Sequence, residues 1–266
     1  MSLLLGLLNI RLGHWWFSGV DPRWRAKRSL LTPLERLAWS RWFPVQGHLL
    51  NELLAQFPGT ARYNWYLSDG GHFENTACYE LIRRKVPLII VCDNGEDPKC
   101  DLTDLGQLVR KARLDFGCEI RFLAQAEIEA GVHPQLVAEK CIGTVQQLSR
   151  ICGPLASEAP RYRQSDVYAA LAIARYAEGA RSVIVWIKPG VSGAEPQDVI
   201  EYAVANGAFP QQPTADQFFD EAQWESYRKL GNWIGESLFR ERDGEETRWQ
   251  PNSLAPAALL ERLDQR

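Results

Sequence analysis

The chain has 266 residues, 45% of them hydrophobic and 24% charged, with a formal net charge of −3. That length and balance suit an α/β domain with a sizeable core and exclude wholesale disorder. They also give no electrostatic footprint for nucleic acid; the basic cluster Arg23, Arg25, Lys27 and Arg28 has Trp24 within it and Pro22 beside it, as on a solvated or lipid-facing surface.

The six cysteines (Cys78, Cys92, Cys100, Cys118, Cys141, Cys152) include no C-x-x-C pair. A zinc site or disulfide framework is therefore not expected, and a reducing, cytoplasmic compartment fits best. Cys78 and Cys92 fall in apolar segments, where cysteine acts as a small buried hydrophobe. Five of the ten tryptophans (Trp15, Trp16, Trp24, Trp39, Trp42) lie in the first 42 residues, which suits either an interfacial surface or the packing of a helical subdomain. The opening run "MSLLLGLLNIR" is too short to span a bilayer and has neither a basic leader nor a small-residue cleavage site.

In chain order, residues 1–60 read as a broken, helical, Trp-rich segment. Within it, "TPLERLAWSRWF" has Thr32 as cap and Pro33 at the first helical position, and "GHLLNELLAQF" follows Pro44. Residues 61–266 read as the main α/β body. "ARYNWYLSD" predicts a strand ending at Asp69, and "TACYELIRRK" predicts a helix capped by Asn75. "VPLIIVCD" has the continuous apolar pattern of a strand buried on both faces. Strand, short helix and strand together predict a compact parallel βαβ unit.

Downstream, Asp101 or Thr103 should cap the helix "DLGQLVRKARLDFG", and "CEIRFLAQ" reads as a third strand. "PQLVAEKCIGTVQQLSR" suggests one helix, and the alanine-rich "DVYAALAIARYAEGA" another, stopping at Gly179. "RSVIVWIKPG" is a further buried strand. Helices are expected over "EPQDVIEYAVAN", over "DQFFDEAQWESYRKLGNWIGESLF", and from Ala255 onward. The fold class is α/β, with a mixed, mostly parallel sheet flanked by helices.

Parallel sheets bind ligands outside the carboxyl ends of their strands. Asp69 sits at one such end, followed by Gly70, Gly71, His72, Glu74 and Asn75, and Asp93 sits at the next. The two glycines permit a sharp turn, and a carboxylate there can orient or deprotonate a hydroxyl nucleophile. The same residues also make an ordinary polar turn, with Asp69 and Asn75 satisfying backbone N–H groups. A third reading takes Asp69, His72 and Asp93 as metal ligands, but the spacing is loop-like and no second histidine is near; neither a metal nor a cofactor is expected.

No nucleophile accompanies this acid. The nearest approach to a G-x-S-x-G elbow is "GVSGA" (Gly190 to Ala194), which lacks the second glycine in register and lies between Pro189 and Pro196.

The segment "YLSDGGHFENTACYELIRRKVPLIIVCDNGEDP" resembles the aspartate-bearing region of patatin-like lipid acyl hydrolases, in their bacterial D-G-G-H-F-E-N branch. The resemblance extends in patches to "DLGQLVRKARLDFG", to the stretch from "VIVWIKPGVSGAEP" through "FFDEAQWESYRKLG", and more loosely to "LLNIRLGHWW". It implies a Ser–Asp dyad with Asp69 as its acid, shaped by Gly70, Gly71, His72, Asn75 and Asp93. The family's G-x-S-x-G and oxyanion loop are absent from these 266 residues. The expectation is the C-terminal half of a patatin-like phospholipase or lipase-type hydrolase, incomplete on its N-terminal side and inactive alone. Its implied partners are a lipid or acyl-ester substrate, an upstream serine-bearing segment and a membrane surface at the cytoplasmic face. The alternative is a non-catalytic lipid- or protein-binding module that keeps the fold. Either way, an incomplete sheet would expose an edge and invite self-association unless residues 1–60 cover it.

Overall fold

The computed structural model describes residues 13–19, 44–55, 57, 64–68, 70–132, 134–149, 151–152, 164–213, 218–239 and 256–264. The helix expected over Thr32–Phe43 lies outside these residues. The chain divides into two compact units, residues 1–73 and 74–266.

In the first unit, strand β1 (Gly13–Phe17) pairs antiparallel with β2 (Asn64–Ser68), Trp15 opposite Tyr66. A two-stranded ribbon is marginal in water and needs a packing partner. Helix α1 (Pro44–Leu53) supplies it: His48 stacks on Trp15 with ring centroids 4.6 Å apart. The Trp15 indole N–H also donates to Glu52 Oε1 at 2.7 Å. The broken, helical reading of residues 1–60 is corrected at Gly13–Phe17, where aromatic residues favour the pleated surface of a ribbon.

The second unit is α/β. Its described elements are α2 (Cys78–Arg83), β3 (Leu88–Cys92), α3 (Thr103–Phe116), β4 (Glu119–Phe122), α4 (Gln125–Gly131), α5 (Pro134–Ala138), β5 (Ile142–Gly143), α6 (Val145–Leu148), β6 (Ile151–Cys152), β7 (Gln164–Ser165), β8 (Ala169–Arg175), β9 (Arg181–Ile187), α7 (Gln197–Ala205), α8 (Glu221–Phe239) and α9 (Pro256–Asp264). The central sheet has five strands in the order β3-β9-β8-β4, with β5 also bonded to β8. The β3–β9 and β5–β8 pairs are parallel, and the β8–β9 and β4–β8 pairs antiparallel, so β3, β9 and β4 share one direction. β6 and β7 form a separate short antiparallel pair.

Two hydrophobic clusters sandwich this sheet. On one face Ile184 and Trp186 of β9 meet Cys78 and Ile82 of α2 and Leu105, Leu108 and Ala112 of α3. On the other, Val183, Val185 and Ile187 meet Val199 and Ala203 of α7, Leu230, Ile234 and Leu238 of α8, and Leu259 of α9. Adjacent residues of β9 thus feed opposite cores, as the period of two requires.

The helix expected over "DVYAALAIARYAEGA" is corrected to a strand. Ala170, Ala172 and Ala174 face the α2–α3 side, Leu171 and Ile173 the α7–α8 side, and all are buried. Alanine favours helix only when packing does not decide; here neighbours on both edges and both faces decide. The hairpin to β9 closes with Gly179, at φ +91°, donating its N–H to Tyr176 O at 2.9 Å.

The compact βαβ unit is also corrected. β2 bonds to β1, whereas β3 takes β9 as its parallel partner. β3 is buried on only one face: Ile89 and Val91 are covered, Ile90 is 45% exposed, and Cys92 is exposed rather than a buried hydrophobe. The single helix expected across 134–150 breaks into α5, β5 and α6. Lys140 takes a positive φ of 56° after α5, and Thr144 and Gln147 form a capping box that starts α6.

Enlarging the small face of β8 should strain the α3 side of the core. Ala172→Leu is expected to cost about 1–3 kcal/mol, read as a lowered denaturation midpoint at unchanged far-ultraviolet circular dichroism.

Candidate functional site

Asp69, the acid singled out in the sequence, lies outside the described residues. β2 ends one residue before it, and Gly70–His72 form a single 3₁₀ turn immediately after it. Gly70 and Gly71 are exposed, and Phe73 N–H closes the turn on Gly70 O at 2.9 Å.

The second unit carries its own polar centre at the carboxyl ends of β3 and β9. β3 delivers Asp93 and β9 delivers Lys188, each the residue directly after its strand. Lys188 Nζ donates to Asp93 Oδ1 at 3.1 Å and to Gly95 O at 2.8 Å, and the two side chains are only 4% and 2% exposed. Gly95 N–H closes the turn by donating to Asp93 Oδ1 at 3.1 Å. Burial pushes the Asp93 carboxyl above its ordinary range, with the charge of Asp104 adding to the rise; the Lys188 ammonium and the Gly95 N–H oppose it.

Gly95 sits where three polar groups converge. A Cβ there would lie 3.0 Å from Asp104 Oδ2, 3.3 Å from Asp93 Oδ1 and 3.4 Å from Asn75 Nδ2. Asn75 donates to Asp104 Oδ2 at 3.1 Å. Two of the sequence-derived residues, Asn75 and Asp93, are therefore brought together, but Asn75 does not cap α2. Glu74 holds that end instead, accepting from the N–H of Thr76 at 2.8 Å and of Tyr79 at 3.4 Å. Likewise, neither Asp101 nor Thr103 caps α3: the Asp97 carboxylate accepts the N–H groups of Asp101 (3.0 Å) and Leu102 (2.9 Å). Buried Gln211 ties the two strand-end loops together, accepting from Asp97 N–H at 3.0 Å and donating to Pro189 O at 3.1 Å.

Sequence reasoning missed Lys188, Gly95 and Asp104. Lys188 left one signal, a single cation ending the apolar run "SVIVWIK" at the carboxyl end of a strand. Chemically, Asp93 and Lys188 consume each other's charge, so they fix the two loops rather than act as an open acid and base.

Ser192, the serine of "GVSGA", belongs to a different arrangement. Its hydroxyl donates to Glu195 Oε1 at 2.9 Å, and its N–H and that of Gly193 reach the same carboxylate at 2.7 and 2.8 Å. The Tyr168 hydroxyl donates to Glu195 Oε1 at 2.5 Å and accepts the Trp233 indole N–H at 3.1 Å. Burial, then the Glu195 contact, pushes the Tyr168 phenol well above its ordinary range, so it stays a proton donor. A carboxylate already holding four donors makes a rigid loop, and Ser192 is one of the groups it holds.

The buried thiols are unreactive: burial first, then nearby Glu74, pushes Cys78 up to about 12, and burial with Glu119 pushes Cys118 to about 11. Among the described residues no group of three or more His, Cys, Asp or Glu is placed to hold a metal ion, and no helix is long and apolar enough to cross a membrane. No family model, no curated protein and no solved structure matches the chain.

Removing one member of the buried pair should be costly. Lys188→Met is expected to lose about 3–5 kcal/mol at neutral pH, and pairing it with Asp93→Leu should recover much of that loss. The raised Asp93 pKa has its own signature. The folded state holds this proton more tightly than the unfolded chain, so the contribution favours folding below the ordinary carboxylate range near pH 4 and fades as pH rises through the folded value. Wild type should therefore lose stability relative to Asp93→Asn over that upward titration, as followed by urea unfolding at a series of pH values.

Proposed function

We propose that the chain is the aspartate-bearing part of a patatin-like lipid acyl hydrolase, with the catalytic serine supplied from outside residues 1–266. The observation that carries this reading is the motif D-G-G-H-F-E-N, backed by "YELIRR" and "FFDEAQWESYRKLG". The local geometry is compatible: β2 runs up to the motif, a glycine turn follows, and α2 comes after. On this reading the sheet of the second unit is one portion of a patatin-like α/β domain.

The chemistry would be carboxylester hydrolysis. The serine hydroxyl attacks the ester carbonyl while Asp69 takes its proton; the alcohol leaves with that proton, and water then releases the fatty acid by the same exchange. Asp93 and Lys188 hold the loops at the strand ends and do not touch the reacting atoms. Exposed Trp16 and Phe17 on the ribbon suit contact with a lipid surface, consistent with a peripheral position at the cytoplasmic face.

The purified chain alone is expected to show no hydrolysis of p-nitrophenyl acyl esters. Supplying a G-x-S-x-G-bearing segment of the family, in cis or in trans, should generate activity, and Asp69→Asn should lower it on the order of 10²–10⁴-fold. Undiminished hydrolysis by Asp69→Asn would remove the dyad assignment. No activity with any such segment would favour the non-catalytic binding module.

A further inference from the structure

Among the described residues, β3 is the last strand on its side of the sheet. Pro87 O accepts from Val183 N–H at 2.8 Å and Asp93 N–H donates to Ile187 O at 2.9 Å, which fixes the phase of the ladder. In a parallel pair, alternate residues turn both backbone groups to the same neighbour. The backbone N–H and C=O groups of Leu88, Ile90 and Cys92 therefore point away from β9, and among the described residues no strand receives them. The side chains of Ile90 and Cys92 are exposed as well.

Natural sheets guard such edges with charge, proline, bulges or covering segments. Leu-Ile-Ile-Val-Cys contains neither a charge nor a proline, and its composition suits a strand with a neighbour on each side. The flanks state which neighbour. Arg83, Arg84 and Lys85 precede the strand, and Asp93, Asn94, Gly95, Glu96 and Asp97 follow it. The cations are partly offset by exposed pairing to Glu80 and Glu178, and Asp93 is neutralised by Lys188; Glu96 and Asp97 keep the far end acidic. A strand that is basic at its start and acidic at its end repels a parallel copy of itself and complements an antiparallel one.

We propose that the free edge of β3 pairs with β3 of a second copy of this chain, antiparallel about a two-fold axis through Ile90. Ile90 then lies opposite Ile90 of the partner copy, and Leu88 lies opposite Cys92. The outward backbone groups of residues 88, 90 and 92 satisfy one another, and each basic flank meets an acidic one. The contact is isologous and closes, so association stops at the dimer and gives one continuous sheet across the axis. This inference does not depend on the acyl-hydrolase reading, because its readout is mass and cross-linking rather than hydrolysis.

The full chain should show twice its chain mass by light scattering after gel filtration, with dissociation favoured by high salt. Ile90→Lys, which adds a charge to the exposed position without removing a bond to β9, should shift the protein to a monomer with unchanged circular dichroism. Directly opposed residues in this register are about 5.5 Å apart at Cα, within disulfide range. Leu88→Cys should thus yield covalent dimers on mild oxidation at alkaline pH, and Leu88→Cys combined with Cys92→Ser should not. The cross-linking arm stands even if Ile90→Lys fails to fold. A monomer across concentrations, a dimer indifferent to Ile90→Lys, or Leu88→Cys chains that do not cross-link through Cys92 would each overturn the proposal.

Discussion

A carboxylate and an ammonium buried against each other, Asp93 with Lys188, organise the second unit. Each follows directly on a strand, and the two strands are parallel neighbours whose pairing joins distant parts of the chain. Hydrophobic contacts alone would let the strands slide in register, since apolar side chains discriminate weakly between neighbouring positions. A buried charge pair does not slide, because displacement would leave two desolvated charges without partners. The Asp93–Gly95 turn, the Asp97 contacts that start α3, and the Gln211 bridge are all built onto that fixed point.

The same end of the sheet holds a second rigid element of opposite character. Glu195 gathers the loop between β9 and α7 through backbone and hydroxyl donors, and Tyr168 and Trp233 tie it to β8 and α8. Both arrangements use one carboxylate to hold one loop. The strand-end loops are consequently framed by polar contacts of high directionality, whereas the body of the unit rests on non-directional apolar packing.

Legibility in the sequence followed the range of the interaction. β3, β4, β9, α3 and α7 could be read because their apolar periods and Gly or Pro boundaries are local. β8 could not be read by composition: four alanines between 169 and 174 favour helix, and only the alternation of small Ala172 and Ala174 with large Leu171 and Ile173 records the two faces of a sheet. The parallel partner of β3 was likewise invisible, because β9 is far along the chain and nothing local to "VPLIIVCD" names it. At the site, Asp93 and Asn75 drew attention as polar residues beside a strand and a helix. Lys188 did not, since a lone lysine after a strand is ordinarily a solvated end, and only the three-dimensional pairing buries it. The role given to Asn75 moved to Glu74 because its longer side chain reaches forward to the N–H groups of Thr76 and Tyr79 at the start of α2.

The separation of β3 from β9 has a consequence for how the protein is made. β3 must leave the ribosome and wait for its parallel partner, with the 95 residues from Asn94 through Lys188 still to be added. At about 5–20 residues per second that interval is roughly 5–20 s. Throughout it, an apolar pentapeptide has both edges open and its anchoring carboxylate has no cation. The nascent chain therefore passes through a stage in which this segment is apolar, unpaired and open to water, and the arrival of Lys188 ends it.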